Sequence, residues 1–242
     1  MSVIRVRDLT VSYGPVKALD GVDFDVEAGR LCGLVGVNGS GKSTLFKALM
    51  GLVNPNRGEI SLFGHGQARA RKEGLITYVP QAEDVDWTFP VSVRDVVLMG
   101  RYGYMGRSRR PSPADRAAVD EALDRVDLAG LAKRQIGQLS GGQKKRAFVA
   151  RGIAQGAELM LLDEPFAGVD VTSEKLIMKL LTSLTAEGRT ILMSTHDLAG
   201  VPTFCTQAVL LHHSVLASGT PADVLTDANL AQAFGGPRQE EA

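Results

Sequence analysis

Apolar and polar residues alternate over residues 4–10 and 22–26, the two-residue period of half-exposed strands. Residues 31–35 form an unbroken apolar run, which reads as a buried strand, and residues 45–50 follow with helical spacing. Another strand is expected to end at Tyr78-Val79-Pro80-Gln81. From Ala82 to Gly156 the pattern turns helical, most clearly over residues 113–126, where apolar positions at helical spacing stand beside acidic and basic ones. Short apolar runs return at residues 159–162 and 191–193. The expectation is one α/β domain, its core built from residues 1–81 and 157–242 and its helical insertion from residues 82–156. No internal repeat is evident, and residues 235–242 read as a frayed tail.

A chain of 242 residues with 44% apolar composition can bury a sizeable core. Its 27 basic residues balance 27 acidic ones, so no net field draws it to nucleic acid. The basic runs at 69–72, 107–110 and 144–146 read as solvated faces. Cys32 and Cys205 are too few and too far apart for a disulfide or metal framework and suit a reducing compartment. No signal-peptide pattern opens the sequence, and no apolar run approaches the ~20 residues that span a bilayer.

The candidate chemistry begins between the buried strand and its helix. Gly36, Val37, Asn38, Gly39, Ser40, Gly41, Lys42, Ser43 and Thr44 fit the phosphate-loop pattern. Glycine lets backbone N–H groups approach phosphate oxygens, Lys42 reaches the β/γ-phosphates, and the Ser43 hydroxyl can ligate Mg²⁺. The bland reading is a glycine turn ahead of a helix. Leu139, Ser140, Gly141, Gly142 and Gln143 form a second device, arising by chance in roughly one chain in ten thousand. Ser140 suits a helix N-cap, which places the Gly141 and Gly142 N–H groups at the positive end of a helix; a capped helix without a ligand is the alternative.

Asp163 and Glu164 end an apolar strand, where open α/β sheets place their ligands. Asp163 would hold the Mg²⁺ shell and Glu164 would be the general base or orienter of the attacking water. The competing reading has both acids capping a helix near Pro165. His196 ends the run at 191–193 with a side chain able to donate to phosphate, although such a histidine taken alone is more often structural. Gln81 could meet Mg²⁺ or the attacking water. Tyr13 could stack on a base or sit in a turn. His65, His212 and His213 read as ordinary surface or packing residues.

In this order the set resembles the nucleotide-binding subunit of an ABC transporter, over nearly the whole chain. The resemblance implies a phosphate-loop NTPase core of RecA type, with an N-terminal antiparallel β part and an inserted α-helical subdomain. It makes Tyr13 the aromatic that stacks adenine and Gln81 the switch glutamine. Ser140 to Gln143 become the signature that contacts the γ-phosphate bound by the other protomer. Glu164 is then the catalytic carboxylate, His196 the switch histidine, and Asp170 the aspartate that communicates across the dimer. Ala167-Gly168-Val169-Asp170 departs from the serine-alanine-leucine-aspartate run of many members, with the aspartate kept. Two phosphate devices in one chain are explained if two copies pack head to tail and close on ATP and Mg²⁺.

Residues 84–93 and 95–103 are similar to the segment after the switch glutamine in ATPases of manganese, zinc and iron importers, as are residues 165–170. This resemblance ranks manganese first, with zinc and iron close behind. It implies membrane permease subunits as partners, an extracellular or periplasmic metal-binding protein acting indirectly, no nucleic acid, and a place on the cytoplasmic face of the membrane. Trp87 and Phe89 are candidates to dock the permease or to pack within the insertion. Importers of other solutes, and ABC ATPases outside transport, are the alternatives.

Overall fold

The computed structural model describes residues 1–81, 89–106 and 109–235. The alternating segments at the start form β1 (Ser2–Tyr13) and β2 (Val16–Glu27), an antiparallel pair with Val6 opposite Phe24 and Leu9 opposite Val22. β1 also pairs with β4 (Arg57–Leu62), giving a three-stranded sheet in the order β2-β1-β4. Its inward residues, among them Ile4, Val6, Leu9 and Phe24, are buried.

The second sheet has six strands. It contains β3 (Leu31–Val35), β5 (Ile76–Val79), β6 (Leu159–Leu162), β7 (Thr190–Thr195), β8 (Gln207–His212) and β9 (Ser214–Gly219), in the order β5-β6-β7-β3-β8-β9. All neighbours are parallel except β8 and β9. The central strands are apolar because both faces are covered. Leu159 and Leu161 of β6 pack into one core while Met160 and Leu162 pack into the other, as side chains alternate across a strand.

Helix α1 (Lys42–Leu49) supplies Leu45, Phe46 and Leu49 to the core shared with the three-stranded sheet. The opposite face carries α5 (Gly141–Gln155) and α6 (Val171–Ala186). α2 (Gln67–Lys72) lies between β4 and β5 in sequence, and α7 (Val201–Phe204), α8 (Pro221–Val224) and α9 (Asp227–Phe234) complete the described chain.

The helical subdomain consists of α3 (Val93–Leu98), α4 (Pro113–Arg125) and α5. Each of the three starts at a capping box, formed by Ser92 with Asp95, Ser112 with Asp115, and Ser140 with Gln143. Arg101 clasps the group together, reaching Asp115 Oδ1 at 2.9 Å and the Ala154 carbonyl at 3.0 Å. The Asp115 side chain is 5% exposed, and its hydrogen bonds from Ser112 and Arg101 hold its pKa down at about 2. Trp87, the segment at 84–88 and the tail beyond Gly235 fall outside the described residues.

Candidate nucleotide site

The phosphate loop joins the end of β3 to the start of α1, at the carboxyl end of the parallel sheet, where such sheets bind ligands. Only glycine fits at 36, since a Cβ there would stand 2.3 Å from the Leu211 carbonyl oxygen. Gly41 immediately precedes α1 with φ 101°, and a Cβ there would stand 2.6 Å from the Ala18 carbonyl. The Lys42 ammonium curls back over the loop, donating to the carbonyls of Gly36 at 2.8 Å and Val37 at 3.0 Å. Burial lowers the Lys42 pKa, and the nearby charges of Glu164 and Asp163 oppose the shift.

A cavity of about 390 Å³ opens over the loop, walled by Asn38, Gly39, Gly41, Lys42, Ser43 and Thr44, with Ala18, Gln81 and Glu164 at its sides. No acidic residue stands in the first turn of α1, so the helix dipole and Lys42 both favour an anion. The donor set fits a nucleotide polyphosphate. It also fits Mg²⁺, which takes a few hard oxygen ligands from protein and the rest from phosphate and water. The Ser43 hydroxyl and the Gln81 amide can supply such ligands.

Asp163 stands differently. It is 2% exposed and lines neither this cavity nor the one beside His196. Its Oδ1 accepts from Ser194 Oγ at 2.6 Å and its Oδ2 from Tyr78 Oη at 3.2 Å. The strand order brings these residues together, because β5, β6 and β7 are neighbours. Tyr78 and Ser194 escape sequence reasoning as site residues; the one available signal was a hydroxyl in an otherwise buried strand.

Glu164 leaves the strand with φ 45°, a left-handed conformation uncommon outside glycine. Its N–H donates to Ser194 Oγ at 2.8 Å. Its side chain lines both the loop cavity and a second one of about 340 Å³ shared with Ala167, Gly168 and His196. His196 Nδ1 lies 3.6 Å from Glu164 Oε1, with the imidazole largely exposed. No helix begins near Pro165, so neither acid is a cap there. The cap of α6 is Asp170, which accepts from the Ser173 N–H at 2.9 Å and hydroxyl at 2.7 Å. The hydrogen bond from the Ser173 hydroxyl is the main cause of its lowered pKa.

The signature residues stand apart from the loop cavity. Ser140 Oγ accepts from the Gln143 N–H and Gln143 Oε1 accepts from the Ser140 N–H, at 3.3 and 3.0 Å. A Cβ on Gly141 would meet the Gly168 carbonyl at 2.9 Å, and one on Gly142 would meet Ser173 Cβ at 2.5 Å. These glycines therefore also seat the signature against the Asp170 loop. Tyr13, at the end of β1, is 49% exposed and does not line the cavity, whereas Ala18 does. The basic run at 144–146 is not a solvated face as its composition suggested. Lys145 and Arg146 are buried at 4% and 7% exposure, Lys145 reaching the Glu164 carbonyl after β6 and Arg146 the Val126 carbonyl at the end of α4. Cys32 and Cys205 are free and buried, and burial pushes the Cys205 thiol up to about 12.

Among the described residues, no helix is long and apolar enough to cross a membrane, and no group of three or more His, Cys, Asp or Glu could hold a metal ion.

Similarity to known proteins agrees with this geometry. The chain is 52% identical over 234 residues to the manganese transport system ATP-binding protein MntA of Synechocystis, covering 96% of this chain and 90% of that protein. It is 52% identical over 232 residues to the chelated iron transport system membrane protein YfeB of Yersinia pestis, covering 96% and 78%. A solved structure described as a metal-chelate type ABC transporter in an inward-facing conformation superposes with a TM-score of 0.85 at 30% identity, covering 97% of this chain and 89% of that one. The family model for ABC transporters matches residues 19–167. The chain belongs to the ABC transporter family, as an ATP-binding subunit whose ATPase activity is coupled to transport.

Proposed function

We propose that this chain energises the import of a divalent transition metal, manganese first and zinc or iron next, by closing as a head-to-tail dimer on two ATP molecules. Cassettes of this family work as dimers with membrane permease subunits. The cargo reading rests on the manganese and iron relatives and on the sequence resemblance of the segment after the switch glutamine and of residues 165–170. A metal-binding protein outside the membrane would deliver the ion to the permease, and the chain would sit on the cytoplasmic face.

The observation that carries the hydrolytic reading is the position of Glu164, on the wall of the loop cavity and also beside His196. Backbone N–H groups from Gly36 to Thr44, together with Lys42, would bind and orient the β- and γ-phosphates. Ser43 and Gln81 would hold Mg²⁺, which supplies charge neutralisation when bound. Asp163, its carboxylate fixed by Ser194 and Tyr78, would act on the ion's hydration shell through its charge rather than by direct ligation. Glu164 would take up the proton of the attacking water or orient that water, and His196 would donate to the γ-phosphate. Ser140 to Gln143 of the second copy would close the site, with Asp170 transmitting that closure, and Tyr13 would stack on adenine.

Uptake of manganese, zinc and iron by a strain lacking the chain tests the cargo. Manganese uptake should fall and return with the wild-type chain but not with Glu164→Gln. Unchanged uptake of all three metals would contradict the reading.

A further inference from the structure

The catalytic proposal leaves the buried cation beside Glu164 unused. Lys145 lies on α5, the helix whose first residues carry the signature, and it is 4% exposed. Its Nζ donates to the Glu164 carbonyl at 3.1 Å. Burial lowers its pKa, while the charges of Asp163 and then Glu164 oppose that shift. A lysine is seldom buried to this degree unless it is paired, and solubility gives no reason to keep it here.

Glu164 gives the reason. A left-handed backbone at a non-glycine residue costs on the order of 1–3 kcal/mol and persists only where the surroundings fix it. Side chains from two different elements reach the backbone of Glu164, Ser194 of β7 at its N–H and Lys145 of α5 at its carbonyl, which also accepts from the Ala167 N–H at 3.2 Å. Ser194 stands in the sheet, whereas Lys145 stands on a helix of the helical subdomain.

We propose that Lys145 is a positioning residue for ATP hydrolysis, clamping the Glu164 backbone so that its carboxylate faces the phosphate loop only when α5 is correctly seated. The first turn of α5 meets the ATP of the partner, and Lys145, one turn further on, holds Glu164 of its own chain. One rigid helix thereby links the two composite sites of the dimer. This rests on the ATP-clamp reading above.

The test compares Lys145→Met with Lys145→Gln in the purified full-length chain. The two side chains match in length, and only Gln keeps an N–H donor. Because Lys145→Met removes a buried cation while the charges of Asp163 and Glu164 stay, it costs stability, so the unfolding midpoint of each variant is measured first and turnover is compared where both are folded. Lys145→Met should lower kcat tenfold or more while KM for ATP stays within about threefold, the split expected when orientation rather than binding is lost. Lys145→Gln should recover most of the kcat. Lys145→Met combined with Glu164→Gln should still dimerise with ATP. A Met variant within threefold of wild-type kcat, equal losses in Met and Gln, KM rising in step, or loss of the ATP dimer would each overturn the assignment. If the wild-type chain hydrolyses no ATP, the clamp reading fails instead, so the two failures are distinguishable.

Discussion

Ser194 Oγ donates to Asp163 Oδ1 at 2.6 Å and, on its other side, accepts the N–H of Glu164 at 2.8 Å. One hydroxyl thus fixes both acids of the site, the first by its carboxylate and the second by its backbone. Ser194→Ala leaves a buried carboxylate oxygen and a backbone N–H short of a partner, at a cost of about 1–3 kcal/mol. The unfolding midpoint should fall accordingly in denaturant titration, with kcat falling more than KM changes. A variant as stable and as active as wild type would show that the relay has no consequence.

The buried lysines make stability depend on pH in a definite direction. Lys42 and Lys145 both have pKa values below the usual 10.5, chiefly because burial disfavours their charged forms. Just below pH 10.5 the unfolded chain therefore binds more protons than the folded one, and stability rises with pH through that window. Compared with Lys42→Met, the wild-type chain should gain stability as the pH rises toward 10.5, measured by urea denaturation without nucleotide. A constant difference across that range would refute the assignment of cause.

The signature glycines are packed as well as positioned. With Ser173 Cβ 2.5 Å from where a Cβ on Gly142 would lie, Gly142→Ala must displace either α5 or the first turn of α6, which Asp170 caps. Shifts of this size cost on the order of tenfold or more in rate when they misalign a site. ATP binding by the isolated chain should survive, because Gly142 lies outside the loop cavity. Equilibrium binding and turnover, measured side by side, would separate the two.

Tyr13→Ala should weaken ATP and GTP alike, by roughly 1–3 kcal/mol if the ring stacks on the base, since stacking reads no hydrogen-bonding edge. Competition binding decides this. A loss confined to one nucleotide, or no loss at all, would leave Tyr13 as the exposed end of β1.

What could be read in the sequence was local. The phosphate loop and the capping box of α5 are fixed by residues within a few positions of one another, and glycine stereochemistry leaves few other shapes for Gly36 and Gly41. The parallel strands β3, β6 and β7 announced themselves as apolar runs because both their faces are buried, whereas β8, parallel to β3, was not singled out. The holders of Asp163 and Glu164 were not legible, because Tyr78, Ser194 and Lys145 meet the acids only through strand order and helix docking. The basic run at 144–146 was misread for the same reason. Composition cannot say which sides of α5 are packed, and Lys145 and Arg146 lie on packed sides, against the loop after β6 and the end of α4.

The central claim is that Glu164 turns over ATP held between two copies of the chain. Sedimentation of Glu164→Gln with and without ATP tests it most directly. The account predicts a monomer without nucleotide and a stable dimer with ATP, with turnover abolished. A Glu164→Gln chain that stays monomeric at saturating ATP, or hydrolyses it at the wild-type rate, would contradict the claim.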